Sequence, residues 1–244
     1  MQAIILAAGM GKRLKDLTKE NTKCMVKVNG ISLIERTLKS LDKLGLNRIV
    51  IVDGYASEKL RNFISALKVN TKIEFINNPI YDTTNNIYSL WLAKDVLVQE
   101  DSLLLESDII FEDSVIEGLC HDSRKNLALV AKYVDWMDGT CLKLNSDDSV
   151  RQFVPGKQFN DSEKSEYFKT VNFYKFSKEF CRDYYVPELE SYRKQLGDNE
   201  YYEAALGELM KKDAACVLAR RLSNEKWYEI DNADDLAAAE AIFV

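Results

Sequence analysis

The chain has 244 residues, 46% of them hydrophobic, and 33 Lys plus Arg against 39 Asp plus Glu leave a net charge of −6. That length supports one substantial core, and the interspersed, slightly acidic balance argues against the basic face that a nucleic-acid partner requires. No run reaches the ~20 apolar residues that span a bilayer, the first residues read as a strand rather than a secretory leader, and five scattered cysteines with no C-x-x-C pair read as free thiols of a cytoplasmic protein.

Residues 2–8 read as a buried strand. "SLIERTLKSLDKL", residues 32–44, puts Leu33, Ile34, Leu38, Leu41 and Leu44 on one helical face, and Gly45 supplies a stop. "RIVIVDG" is a second strand. "SEKLRNFISAL" is a helix with Ser57 as N-cap and Leu60, Phe63, Ile64 and Leu67 inward. "KIEFINN" is a third strand, "NNIYSLWLAKDVL" reads as one helix, and "SLLLESDIIF" as one buried strand carrying acid near its end. Such alternation belongs to a parallel sheet covered on both faces. After about residue 127 the order changes. "LALVAKY", "CLKLN", "SVRQFV" and "KTVNFYKF" are strands with few helices between them. Residues 177–212 are mainly helical with a break near Pro187, "ACVLA" and "WYEID" are strands, and "NADDLAAAEAIF" is a final helix. The expected fold is α/β, a Rossmann-like, doubly wound, mostly parallel sheet (residues 1–126). A mixed or antiparallel second lobe (residues 127–244) continues it within a single domain.

Ligands of open parallel sheets sit beyond the carboxyl ends of the strands. The first such end is "LAAGMGKR", where Leu6, Ala7, Ala8, Gly9 and Gly11 leave the backbone open to an anion and Lys12, Arg13 and Lys23 add positive charge. A dinucleotide fingerprint would need glycine at Leu14, and no P-loop is present.

The longer pattern is L-A-A-G-x-G-x-R-L after a strand, then a lysine ten residues beyond the arginine in "NTKCMVKVNG". It resembles the nucleotidyltransferases that activate sugars and small phosphorylated alcohols. The resemblance implies the nucleotide-diphospho-sugar transferase fold, a glycine loop around a nucleoside triphosphate, and Arg13 and Lys23 on its phosphates. Lys12 departs from the small hydroxyl residue usual there, and its role stays open. Nucleotidyl transfer needs charge neutralised on the α-phosphate and on the departing pyrophosphate, which Mg²⁺ on one or two carboxylates supplies. Asp108 in "LLLESDIIF" and Asp231 in "WYEIDNADDL" match the family's metal pair. Taken singly they also read as a turn residue and a helix cap. Glu106 is expected to support the metal or to point to the other face. The acceptor is already an anion near neutral pH, so neither a general base nor a covalent intermediate is required, in keeping with a single histidine, His121, among polar residues.

"NNPIYDTTNNIYSLWLAKD", residues 77–95, is similar to the CTP-dependent members that make cytidine-diphosphate choline or attach CMP to 2-aminoethylphosphonate. That similarity implicates Asn85, Asn86 and Ser89 near the nucleoside, although the asparagines also read as helix caps. "YVDWMDGT", "KTVNFYKFS", "DNEYYEAAL" and "YEID" resemble later blocks of the same branch, which implies Lys169 on the acceptor's phosphorus group. The cationic end of the acceptor wants aromatic faces and a carboxylate, for which Trp136, Asp138, Tyr201, Tyr202 and Glu203 are candidates that cannot all line one pocket. The expected activity transfers CMP from CTP to 2-aminoethylphosphonate, with phosphocholine second, and a homodimer is the candidate assembly. The alternatives are a sugar-phosphate nucleotidyltransferase using UTP or dTTP and a non-catalytic nucleotide-binding module.

Overall fold

The computed structural model describes residues 1–244. The chain runs β1 (Gln2–Ala7), β2 (Lys27–Val28), β3 (Ile31–Ser32), α1 (Leu33–Asp42), β4 (Ile49–Asp53), α2 (Ser57–Ser65), β5 (Ile73–Asn77), α3 (Asn86–Leu92), α4 (Lys94–Leu97), β6 (Ser102–Glu106), β7 (Ile109–Phe111) and α5 (Asp113–His121). It continues through β8 (Leu127–Lys132), β9 (Cys141–Leu144), β10 (Val150–Val154), β11 (Phe168–Phe176), α6 (Lys178–Phe180), α7 (Val186–Leu196), α8 (Tyr202–Lys212), β12 (Leu218–Arg221), β13 (Trp227–Glu229) and α9 (Ala233–Ile242).

Strands β5, β4, β1 and β6 lie side by side and parallel, with Ala3 opposite both Ile49 and Leu103. Strand β11 runs antiparallel to β6 and joins the two halves of the chain. Its C-terminal part pairs β6, Phe173 opposite Leu105, and its N-terminal part pairs β9, Lys169 opposite Cys141. Along its other edge lies β8, which carries parallel β12. Side-chain alternation divides the core into two layers. Ile5, Ile51 and Leu105 pack with α1, α2 and α5, whereas Ile4, Val50 and Leu104 pack with α3, α7 and α8. The mostly parallel sheet flanked by helices is the expected fold class.

Several local expectations change. The run 102–111 is not one strand. It breaks at Ser107–Asp108, and β7 leaves the main sheet to pair antiparallel with β13, Ile109 opposite Glu229. Ser57 is the first residue of α2, and the N-cap position falls to Ala56 in a left-handed conformation. The helix read over 85–97 is two helices that meet at Ala93, with Asn85 as N-cap of the first. No break occurs at Pro187. It occupies the first turn of α7, where its missing N–H is tolerated, directly after a π-helical turn over Cys181–Tyr185. The interruption comes at Gly197, whose φ is 93°, before α8 begins. Strand β12 begins at Leu218, three residues later than expected. All five cysteines are free, and no helix is long and apolar enough to cross a membrane.

Candidate active site

The glycine loop follows β1, and its shape depends on Gly11. That residue is left-handed, φ 62° and ψ 41°, and caps a 3₁₀ turn over Lys12–Leu17. A Cβ there would meet Cβ and Cγ of Lys23 at 3.0 Å, so glycine lets the stem of Lys23 cross the loop. Gly9 is exposed, and a Cβ on it would meet nothing within 4 Å. Leu6, Ala7 and Ala8 are buried, and the Ala8 carbonyl accepts the Tyr55 amide. Only their backbone is available to an anion.

Lys23 points from this loop to two acids distant in sequence. Its Nζ donates to Asp108 Oδ2 at 2.5 Å and to Asp231 Oδ1 at 2.6 Å. The Arg13 guanidinium meets the same Asp231 oxygen at 2.6 Å. The side chains of Lys23, Asp108 and Asp231 are 13%, 18% and 19% exposed, so these ion pairs are little screened. Burial opposes the charge on Lys23, but Asp108 and Asp231 outweigh it and hold the ammonium above the usual lysine range. Burial likewise opposes ionisation of Asp231, yet Lys23 and Arg13 hold it below the usual carboxylate range.

Backbone pairing brings the acids together. The Asp108 carbonyl accepts the Ile230 amide at 2.9 Å, which extends the β7–β13 ribbon to the position before Asp231. Asp231 does not cap α9. Asn232 does so, in a capping box with Asp235, which leaves the Asp231 side chain to the site. The same ribbon presents Glu229, which the sequence reading passed over. Oxygens of Asp108, Glu229 and Asp231 lie within 4.8 Å of one another, and Asp108 Oδ1 is buried with no hydrogen-bond partner. Hard carboxylate oxygens with an unused acceptor fit a divalent, oxygen-seeking ion. Glu106 is not in this group. Its carboxylate accepts the Asn86 amide at 3.0 Å on the other face of β6, the second of the two positions expected for it, and the third carboxylate of the group is Glu229. Burial, then Asp108 and Glu203, push Glu106 well above the usual carboxylate range.

On the far side of Glu229 stands Lys169, 1% exposed, with Nζ 3.4 Å from Glu229 and donating to the Thr170 carbonyl at 2.6 Å. Burial, only partly offset by Lys169, raises Glu229 to about 7. Beside it β11 carries a bulge in which Asn172 adopts φ 58°, and its amide faces Glu229 at 3.5 Å. Trp136 stacks on Tyr228 at 4.0 Å between ring centroids and is 38% exposed. It borders, with Arg13, Asp138, Glu229, Asp231 and Asn232, an open cleft of about 100 Å³.

The other candidates lie apart from this cleft. Glu203 is buried and accepts the Tyr174 hydroxyl at 2.6 Å, so it anchors the core rather than lining the cleft. Tyr201 precedes α8, is exposed, and forms neither an aromatic pair nor a side-chain hydrogen bond with Trp136 or Asp138. Tyr202 is fully buried. Asn85 caps α3 by accepting the Asn86 amide, and Asn86 binds Glu106 and the Tyr202 amide. Ser89 is buried and accepts from Asn78 at 3.2 Å. These contacts tie α3 to β6 and α8.

The chain is 28% identical over its whole length to a CMP-5′-(3-aminopropyl)phosphonate synthase of Streptomyces rubellomurinus, of which it spans 39%. It is 27% identical to a CTP:phosphoglutamine cytidylyltransferase of Campylobacter jejuni, over 97% of this chain and 98% of that one. Its fold matches the CTP:phosphocholine cytidylyltransferase of Streptococcus pneumoniae with a TM-score of 0.82 at 24% identity, over 100% of this chain and 99% of the other. A nucleotidyl transferase family model matches residues 2–240, and the chain belongs to that family.

Proposed function

We propose that the protein is a cytidylyltransferase that transfers CMP from CTP to a small amine-bearing phosphonate or phosphate, 2-aminoethylphosphonate first, and releases pyrophosphate. The observation that carries this reading is the meeting of Asp108, Asp231 and Lys23 beside the glycine loop, at the carboxyl ends of β1 and β6. Backbone amides of the loop cradle the triphosphate, with Arg13 and Lys23 on its oxygens. Asp108 and Asp231, with Glu229 alongside, would hold Mg²⁺, and the bound ion would supply charge neutralisation for the α-phosphate and the departing pyrophosphate. Lys169 orients the acceptor's phosphorus group. An acceptor oxygen attacks the α-phosphorus in line, a new P–O bond forms, and the bond to pyrophosphate breaks. The oxygen is already deprotonated, so no side chain accepts a proton. Asn85 and Asn86 order the nucleoside side of the site through α3.

The cleft supports a primary-amine acceptor over a quaternary one. Asp138 sets a carboxylate that the proposed ion does not engage beside a single exposed aromatic face, Trp136. A primary ammonium can donate to carboxylates, whereas a trimethylammonium group has no N–H and needs more aromatic surface. The relatives named for aminopropylphosphonate, phosphoglutamine and phosphocholine share the cytidylyl group and a small phosphorylated or phosphonate acceptor. The test is a pyrophosphate-release screen. It crosses CTP, UTP, ATP and dTTP with 2-aminoethylphosphonate, phosphocholine, phosphoethanolamine, phosphoserine and sugar phosphates. Turnover confined to CTP with an amine-bearing acceptor supports the proposal, and a preference for UTP or dTTP with a sugar phosphate overturns it.

A further inference from the structure

Two partners compete for Lys23. Its proposed task puts the ammonium on the nucleotide phosphates, yet the folded chain holds it between Asp108 and Asp231, 2.5 and 2.6 Å from their oxygens. A divalent ion competes with the ammonium wherever it shares Asp231 Oδ1 or Asp108 Oδ2, the oxygen next to the unpartnered Asp108 Oδ1. Mg²⁺ binds oxygen at about 2.1 Å, so an ion sharing the Asp108 oxygen would lie within about 4.6 Å of Nζ, by adding the two contacts. At that separation two cations in a poorly screened site repel strongly.

Charge balance leads to the same conflict. Asp108, Asp231 and Glu229 are faced by Lys23, Arg13 and Lys169, three formal negative charges against three positive. A divalent ion entering alone would leave the cluster doubly positive. A triphosphate changes the balance, because its oxygens can take up Lys23 and Arg13 and free the aspartates. The lysine is built for such a move, a point charge on a flexible four-carbon stem that crosses the loop at Gly11.

We infer that Lys23 is an intramolecular stand-in for the divalent ion. It occupies the aspartate pair until a triphosphate draws it away, so metal and nucleotide enter the site together. This rests on the metal reading of Asp108 and Asp231 above.

The test measures Mn²⁺ affinity from the free-ion paramagnetic resonance signal, without acceptor, with and without CTP, corrected for Mn²⁺ held by CTP in solution. The proteins are the wild type, Lys23→Met, Lys23→Gln and Lys23→Met combined with Asp108→Asn. Without CTP, Lys23→Met should bind Mn²⁺ at least about tenfold more tightly than the wild type, equivalent to about 1.4 kcal/mol. It should also lose most of the tightening that CTP produces in the wild type, since the competing ammonium that CTP draws away is gone. Mn²⁺ should raise the melting temperature of both single variants more than that of the wild type, a readout that persists if removing the lysine weakens the fold. Equal Mn²⁺ affinity in the wild type and both single variants, with CTP still recruiting Mn²⁺ to the wild type, overturns the stand-in role and leaves the metal site standing. If CTP recruits no Mn²⁺ to the wild type, or the double variant binds it as tightly as Lys23→Met, the aspartate pair is not the metal seat and both readings fall.

Discussion

Replacing Asp108 by asparagine separates a chemical role from a structural one. The substitution keeps the shape of the side chain and removes one negative charge. It removes the Coulomb attraction to Lys23 at 2.5 Å, about 7 kcal/mol at an effective dielectric of 20. It also relieves repulsion from Glu229 and Asp231, whose oxygens lie within 4.8 Å, a term of about 3 kcal/mol per pair at an effective dielectric of 20. The opposing changes are similar in size, so stability should shift by no more than about 1 kcal/mol and the melting temperature by no more than about 4 °C. The chemical step has no such compensation. Losing a charged group that acts on the transition state should lower kcat/KM by about a thousandfold or more, near 4 kcal/mol. Pyrophosphate release with CTP and 2-aminoethylphosphonate, measured beside a calorimetric melt, gives both numbers on one preparation. Turnover within tenfold of the wild type would refute the role given to Asp108, and a fall of more than about 10 °C in melting temperature would assign it to the fold.

Trp136→Ala should raise the KM for the acceptor by about tenfold and leave the KM for CTP unchanged, as expected for a lost cation–π face; initial rates with each substrate varied in turn check the split. Gly207→Ala places a methyl group 2.6 Å from the Phe153 ring. It should cost about 1–3 kcal/mol by overpacking, visible as a lower urea midpoint with activity at 25 °C retained. Asp122 is held below the usual carboxylate range by the Arg124 hydrogen bond first and by Arg220 after it. A depressed folded-state value stabilises the protein above the unfolded value near 3.9 and loses that contribution as pH falls through the folded value. Asp122→Asn should therefore be about 2 kcal/mol less stable than the wild type at pH 7, with the gap narrowing below about pH 4. A gap of constant size in urea melts at pH 7 and pH 3 would contradict this.

Much of the molecule was legible because its periods are strong. Continuous apolar runs such as "AIILA" and "IVIV" mark doubly covered strands, and Leu33, Ile34, Leu38 and Leu41 mark the inward face of α1. The glycine loop, Lys23 and the two aspartates stood out because their spacing resembled a family. Glu229 was hidden by the same alternation that made "WYEID" a strand. Only the register of β13 on β7 sets it beside Asp108, and a pairing across more than a hundred residues leaves no mark in local sequence. The break at Ser107 carries neither glycine nor proline, and the left-handed Asn172 lies inside what reads as an unbroken strand. Asn86 and Ser89 stood out only through the resemblance, and their partners Glu106 and Asn78 come from other strands and loops.

The Lys23 ammonium draws its carboxylates from 85 and 208 residues away. In a nascent polypeptide the glycine loop is made before either aspartate, and the site lacks one of the two until residue 231 has emerged from the ribosome. Assembly of the site is thus tied to contacts of very long sequence range, which are slow to close. During refolding, helical signal should return well before turnover does, and an enzyme molecule caught making product is one whose β7–β13 ribbon is already in register.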